Sequence, residues 1–278
     1  MTLRKEAAMN KQALATILKT LGIRSLEGDD LDVFLDEANK NRWSPVETVG
    51  NLAERELIER ERRSLEWRLK DSKIMNRDFK FMADFDWGWP DKIDRPVIEG
   101  LLTADVVERG DNVVLIGSHG LGKSIIAKNI LHRAIHNGYT ALFVEAAEML
   151  VDLGAQDSSR ALERRIKHYA KPKVLCIDEV GYLSYDQRSA DLLFQVVSRR
   201  YERKSIIVTT NLAFSDWDTV FPGATSVVSL VDRPIASFCG CAQLKRLPDR
   251  EVGSPTFCSL CDAPFHSLGS DQPTILAR

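Results

Sequence analysis

Gly117-Ser118-His119-Gly120-Leu121-Gly122-Lys123-Ser124 follows directly on the apolar run Val113-Val114-Leu115-Ile116. The octapeptide fits the spacing G-x-x-x-x-G-K-[ST] in full. Its glycines let the backbone curl so that successive N–H groups face inward onto phosphate oxygens, with Ser118, His119 and Leu121 adding their amides. A helix opening at Ser124 would aim its positive end at the same point. Lys123 is expected to reach the β- and γ-phosphates of a nucleoside triphosphate such as ATP, and Ser124 to ligate Mg²⁺. A strand before the loop and a helix after it set this motif apart from a chance glycine-rich turn.

Val174-Leu175-Cys176-Ile177-Asp178-Glu179 is a second apolar strand, ending in two carboxylates. Buried charge is costly, so paired acids at the end of a buried strand imply a use. Asp178 is read as the metal-holding acid and Glu179 as the group that orients the attacking water. Ser205-Ile206-Ile207-Val208-Thr209-Thr210-Asn211 is a third such strand, and Asn211 is the candidate sensor of the γ-phosphate. In a parallel sheet these strand ends share one edge, where ligands bind. The stretches 112–116, 140–144, 173–178 and 205–210 read as buried strands with helices between them. The expected fold class is therefore α/β, a P-loop NTPase three-layer sandwich around a parallel sheet, preceded by a small all-helical N-terminal domain.

In that N-terminal region Leu14, Ile17, Leu18 and Leu21 form one helical stripe, and Leu31, Phe34, Leu35 and Ala38 form another. Ser44-Pro45-Val46-Glu47 is a capping box opening a long helix to about residue 73, with Val46, Val49, Leu52, Leu57, Leu65 and Leu69 as its apolar positions. Its other faces are dense in Glu and Arg, read first as i,i+4 pairing. Phe79, Phe81, Phe85, Trp87 and Trp89 crowd residues 76–96, read as a linker pinned to the next domain by aromatic burial. The expected organisation is 1–75 helical, 76–96 linker, 97–233 nucleotide domain and 234–278 a divergent tail.

The 278 residues are 44% hydrophobic and 28% charged with a net charge of −2, which excludes collagen-like and disordered classes and shows no global basic field. No apolar run approaches a membrane span and no export signal opens the chain, so a cytoplasmic protein with no membrane partner is expected.

Taken together these residues resemble the AAA+ ATPases, and more narrowly the IstB-like transposition helper ATPases and the related helicase loaders. The narrow resemblance runs from about Lys11 to Arg233. It rests on Phe85-Asp86-Trp87, Glu108-Arg109-Gly110-Asp111-Asn112-Val113, His136-Asn137-Gly138-Tyr139, and Ile177-Asp178-Glu179-Val180-Gly181-Tyr182-Leu183. Leu193 through Arg203 and Thr209-Thr210-Asn211 complete it. The resemblance implies an extra strand between the phosphate-loop strand and the acid-bearing strand. It also implies a homo-oligomer on DNA with ATP at its interfaces, and handover of target DNA to a cognate transposase. It assigns to Arg233 the arginine that completes a neighbour's site. Two other functional readings stand beside this one: a helicase-loader-like ATPase, and a scaffold that binds ATP without hydrolysing it.

Arg60, Arg62, Arg63, Arg68, Arg199, Arg200 and Arg203 are candidate contacts to DNA phosphates, against the alternative of solvated faces. Relatives usually carry Pro where this chain has Ser118 or His119, a change that leaves the backbone donors in place. The tail holds five of the ten prolines and four of the five cysteines. Its composition reads as a frame-shifted remnant. The rival reading is a zinc module built from Cys239, Cys241, Cys258 and Cys261, with His266 beyond. Cys176 reads as a core residue.

Overall fold

Four β-branched and leucine-rich runs form β1 (Val113–Ile116), β2 (Ala141–Glu145), β3 (Val174–Val180) and β4 (Ser205–Thr210). The computed structural model describes residues 10–76, 78–88, 93–103, 105–182, 185–200 and 203–212. All the strand pairs are parallel, in the order β1-β4-β3-β2, so β4 is the strand inserted between the loop strand and the acid strand. Each strand is buried along nearly its whole length, as a sheet covered on both faces requires.

Side chains alternate across a strand, which sorts the two faces. Val114, Leu142, Val144, Leu175, Ile177, Ile206 and Val208 pack with α7 (Ala146–Gly154), α8 (Ser159–Ala170) and α9 (Gln187–Ser198). The opposite face meets α6 (Lys123–His136), where the Lys128 ammonium lies 4.7 Å from the centre of the Phe143 ring. Cys176 belongs to this second face and is fully buried, as its strand position leads one to expect. By the same alternation Asp178 and Thr209 point to the α6 side. In the chain, α4 (Arg95–Leu101) and α5 (Asp105–Arg109) precede β1, and Asp94 caps the first through the Val97 amide.

The described residues divide into two compact units between Lys70 and Asp71. In the first, α1 (Lys11–Thr20), α2 (Asp30–Lys40) and α3 (Pro45–Asp71) enclose a small core of Leu18, Leu26, Leu31 and Phe34. The capping box is present in both directions: the Ser44 amide donates to Glu47 and the Glu47 amide donates to Ser44 Oγ. Of the apolar positions along α3, Leu52 packs against this core. Val46, Val49 and Leu57 are exposed, and the buried α3 side chain is Glu56, whose carboxylate accepts the Arg24 and Ser25 amides and pairs with Arg60 and Arg63. A short core leaves the loop between α1 and α2 with amides to satisfy, and Glu56 satisfies them.

Candidate nucleotide site

Strand β1 delivers the chain into the glycine loop, and the loop ends as the first turn of α6, one residue earlier than its sequence suggests. Gly120 and Gly122 adopt left-handed backbones, with φ of +76° and +83°. At Gly122 a side chain is excluded twice over. A Cβ there would lie 2.6 Å from Phe85 Cε2, so the Phe85 ring seats directly on the loop backbone. Phe85 stacks edge-on with Trp87, and Trp87 carries the Arg95 guanidinium at 4.8 Å. Asn129 on α6 accepts the Met82 amide and donates to the Lys80 carbonyl, strapping the same segment down. The linker is thus pinned by an amide side chain as well as by aromatic rings; Trp89 lies outside the described residues.

The Lys123 ammonium bends back across the loop and donates to the Gly117 and Ser118 carbonyls at 2.7 and 2.9 Å. Burial pushes its pKa down, and the nearby Asp178 and Glu179 carboxylates push it back up. Ser124 Oγ lies 2.9 Å from Asp178 Oδ2 and 3.1 Å from Oδ1, although 54 residues separate the two in sequence. Two oxygen donors so close together suit a small hard cation of the Mg²⁺ kind.

The acid strand does not stop at the acids. Strand β3 runs on to Val180 through a bulge, in which Asp178 and Glu179 together oppose Thr209. Glu179 takes a φ of +58°, unusual for a residue with a side chain. Asp178 is buried and Glu179 is exposed. Glu179, Asn211, Thr210 and Tyr182 share with the loop a cleft of about 220 Å³. His119 lies across its mouth, edge-on to the Tyr182 ring at 5.5 Å and 3.5 Å from Asn211 Nδ2.

The structure therefore brings together the loop residues, Asp178, Glu179 and Asn211. The position of Arg233 and the cysteine-bearing tail lie outside the described residues. Arg200 is not available to DNA: it is fully buried and donates to the carbonyls of Tyr169, Ala170, Pro172, Lys173 and Ser205. Arg199 pairs with Glu163, and Arg60, Arg62 and Arg63 pair with glutamates of their own helix. Tyr182 and Thr209 stand in segments that carry the resemblance but no role was read for them, and Asn129 stands outside every motif. For Thr209 there was one signal: it shares a strand face with Asn211, two residues on.

A glycine loop, a helix N-terminus, a lysine and two strand-end acids around one cleft make a nucleotide site. The model of the family described as IstB-like ATP binding protein matches residues 16–245. The chain belongs to the IstB-like ATP-binding proteins. Among curated relatives, one named as an ATP-binding protein of insertion sequence IS5376 from Geobacillus stearothermophilus is 35% identical over 196 residues, covering 70% of this chain and 77% of the relative. Another, of insertion sequence IS232 from Bacillus thuringiensis subsp. berliner, is 32% identical over 222 residues, covering 80% and 88%. The solved structure of the DnaC helicase loader superposes on 54% of this IstB-like chain and 87% of its own, with 19% identity and a TM-score of 0.43.

Proposed function

We propose that this IstB-like protein hydrolyses ATP to control the handover of target DNA to an insertion-sequence transposase, acting as a cytoplasmic homo-oligomer on DNA. The observation that carries the reading is the meeting of Ser124 and Asp178 within hydrogen-bonding distance beside Lys123, with Glu179 and Asn211 on the same cleft. The relatives' names tie ATP binding to insertion sequences.

In this reading the loop amides and the start of α6 hold the β- and γ-phosphates, and Lys123 gives up its two loop carbonyls to neutralise the γ-phosphoryl oxygens. Ser124 and Asp178 hold Mg²⁺, which when bound neutralises phosphate charge and polarises the γ-phosphoryl group. Glu179, on the exposed side of the bulge, accepts a hydrogen bond from the attacking water and aligns it with the γ-phosphorus. Asn211, released from His119, donates to a γ-phosphate oxygen and so distinguishes ATP from ADP. Arg233 of an adjacent copy supplies further positive charge at the transition state. Donors around the γ-phosphate and the acceptor Glu179 on the water account for catalysis by positioning, electrostatics and general-base help.

The test is turnover of ATP by the full chain with and without duplex DNA, alongside sedimentation and capture of an insertion-sequence transposase. DNA should raise turnover, and ATP with DNA should assemble the chain into oligomers that retain the transposase. Turnover that DNA leaves unchanged, in a chain that remains monomeric, would refute the handover role.

A further inference from the structure

Strands β3 and β4 pair residue for residue from Val174 opposite Ser205 to Ile177 opposite Val208, and then the register jumps to Val180 opposite Thr210. Two residues, Asp178 and Glu179, are left facing the single residue Thr209. The bulge takes the Glu179 amide off the regular ladder, and Glu179 enters the left-handed region. Its N–H finds a replacement in Thr209 Oγ1, at 2.9 Å. The one hydrogen of the same hydroxyl goes to Asp178 Oδ1. Thr209 has no exposed surface, so water cannot stand in for either bond. On its other side the Asp178 carboxylate faces Ser124 Oγ.

We propose that Thr209 is a positioning residue, a hydroxyl pin that sets both acids of the site at once. It orients the Asp178 carboxylate toward Ser124 and locks the Glu179 backbone so that the Glu179 side chain is presented to the cleft. The proposal rests on the ATP-hydrolysis reading for its kinetic consequence, and on the bulge alone for its structural one. A hydroxyl is required because one group must both accept and donate; valine matches threonine in shape and can do neither. Valine would leave the Glu179 amide without its partner and free the carboxylate to turn, while Lys123 and the glycine loop, which do not bond to Thr209, would keep their grip on the phosphates.

The experiment compares the full chain with Thr209→Val and Thr209→Ser in two readouts. In steady-state ATP hydrolysis at saturating Mg²⁺, Thr209→Val should lower kcat about 10- to 100-fold, the usual cost of removing a group that orients a metal ligand, with KM for ATP changed less than about threefold. Thr209→Ser should return kcat to within about threefold of the parent, since it keeps the hydroxyl. In hydrogen exchange of the native protein, the Glu179 amide should exchange at least about tenfold faster in Thr209→Val and unchanged in Thr209→Ser. If Val and Ser lose activity alike, the contribution is packing and the pin is refuted. Parental kcat and parental Glu179 exchange in Thr209→Val refute it also. If the parent chain turns over no ATP, the hydrolysis reading falls by itself, and the Glu179 exchange still decides whether Thr209 holds the bulge.

Discussion

In the proposed reaction Lys123 and Glu179 divide the work at the residue scale. Lys123 is mostly buried and already satisfied by two loop carbonyls. Its ammonium therefore rests within the loop that is to receive the phosphates, and little is lost when one set of oxygens replaces another. Lys123→Ala should abolish measurable nucleotide binding while leaving the sheet intact, as read by a fluorescent ATP analogue and by the melting curve. Glu179 holds no phosphate, so Glu179→Gln should keep nucleotide affinity within about threefold and lower turnover by about 10² to 10⁴, the range of a lost general base. A single-turnover assay separates the two effects. The places of both side chains were legible in the sequence because the loop is contiguous and the acids end a recognisable strand. Thr209 was not, because its partners become neighbours only when β4 inserts beside β3.

Among the elements, the start of α6 and the turn after α9 are the joints most exposed to substitution. Gly122 combines a left-handed backbone with the Phe85 ring in the place where a Cβ would go. Gly122→Ala should therefore weaken nucleotide binding at least about tenfold, and Phe85→Ala in the same chain should relieve only part of the loss, since the backbone strain remains. Arg200 gathers carbonyls from the end of α8, the start of β3 and the start of β4, and burial pushes its guanidinium pKa below the ordinary arginine value. Arg200→Met should cost about 3 kcal/mol or more, because several buried carbonyls lose their donor together; denaturant unfolding reads it directly. A cluster of arginines in sequence looks like a basic face. Only the convergence of three separate loop ends shows that the middle arginine serves the core. The strands themselves were legible to within a residue or two from apolar runs. The bulge that carries β3 on to Val180 was not, since it follows from pairing rather than composition.

On the scale of the whole molecule, the two units answer to different forces. The larger rests on apolar layers on both sides of a sheet, whereas the helical unit has a small core and leans on one buried carboxylate. At Glu56 burial favours the neutral acid, but the Arg60 side chain and the Ser25 and Arg24 amides outweigh it and hold the pKa at about 2. A carboxyl depressed in the folded state stabilises it fully above its unfolded value near 4.5, and that contribution disappears as pH falls toward 2. Helicity of the 10–70 region should thus decline across that window, and Glu56→Gln should flatten the decline while lowering stability at neutral pH by about 2 kcal/mol. Far-UV circular dichroism against pH measures it. Of the apolar positions along α3, Leu52 reaches the small core, while Val46, Val49 and Leu57 do not. A helix with too little core beside it exposes them instead.

The central claim is that the Gly117–Ser124 loop grips a triphosphate beside Asp178 and Glu179. Calorimetric titration of the full chain with a non-hydrolysable ATP analogue and Mg²⁺ tests it most directly. The predicted result is one saturable site per chain that Lys123→Ala eliminates. No heat of binding, or equal binding by Lys123→Ala, would contradict it.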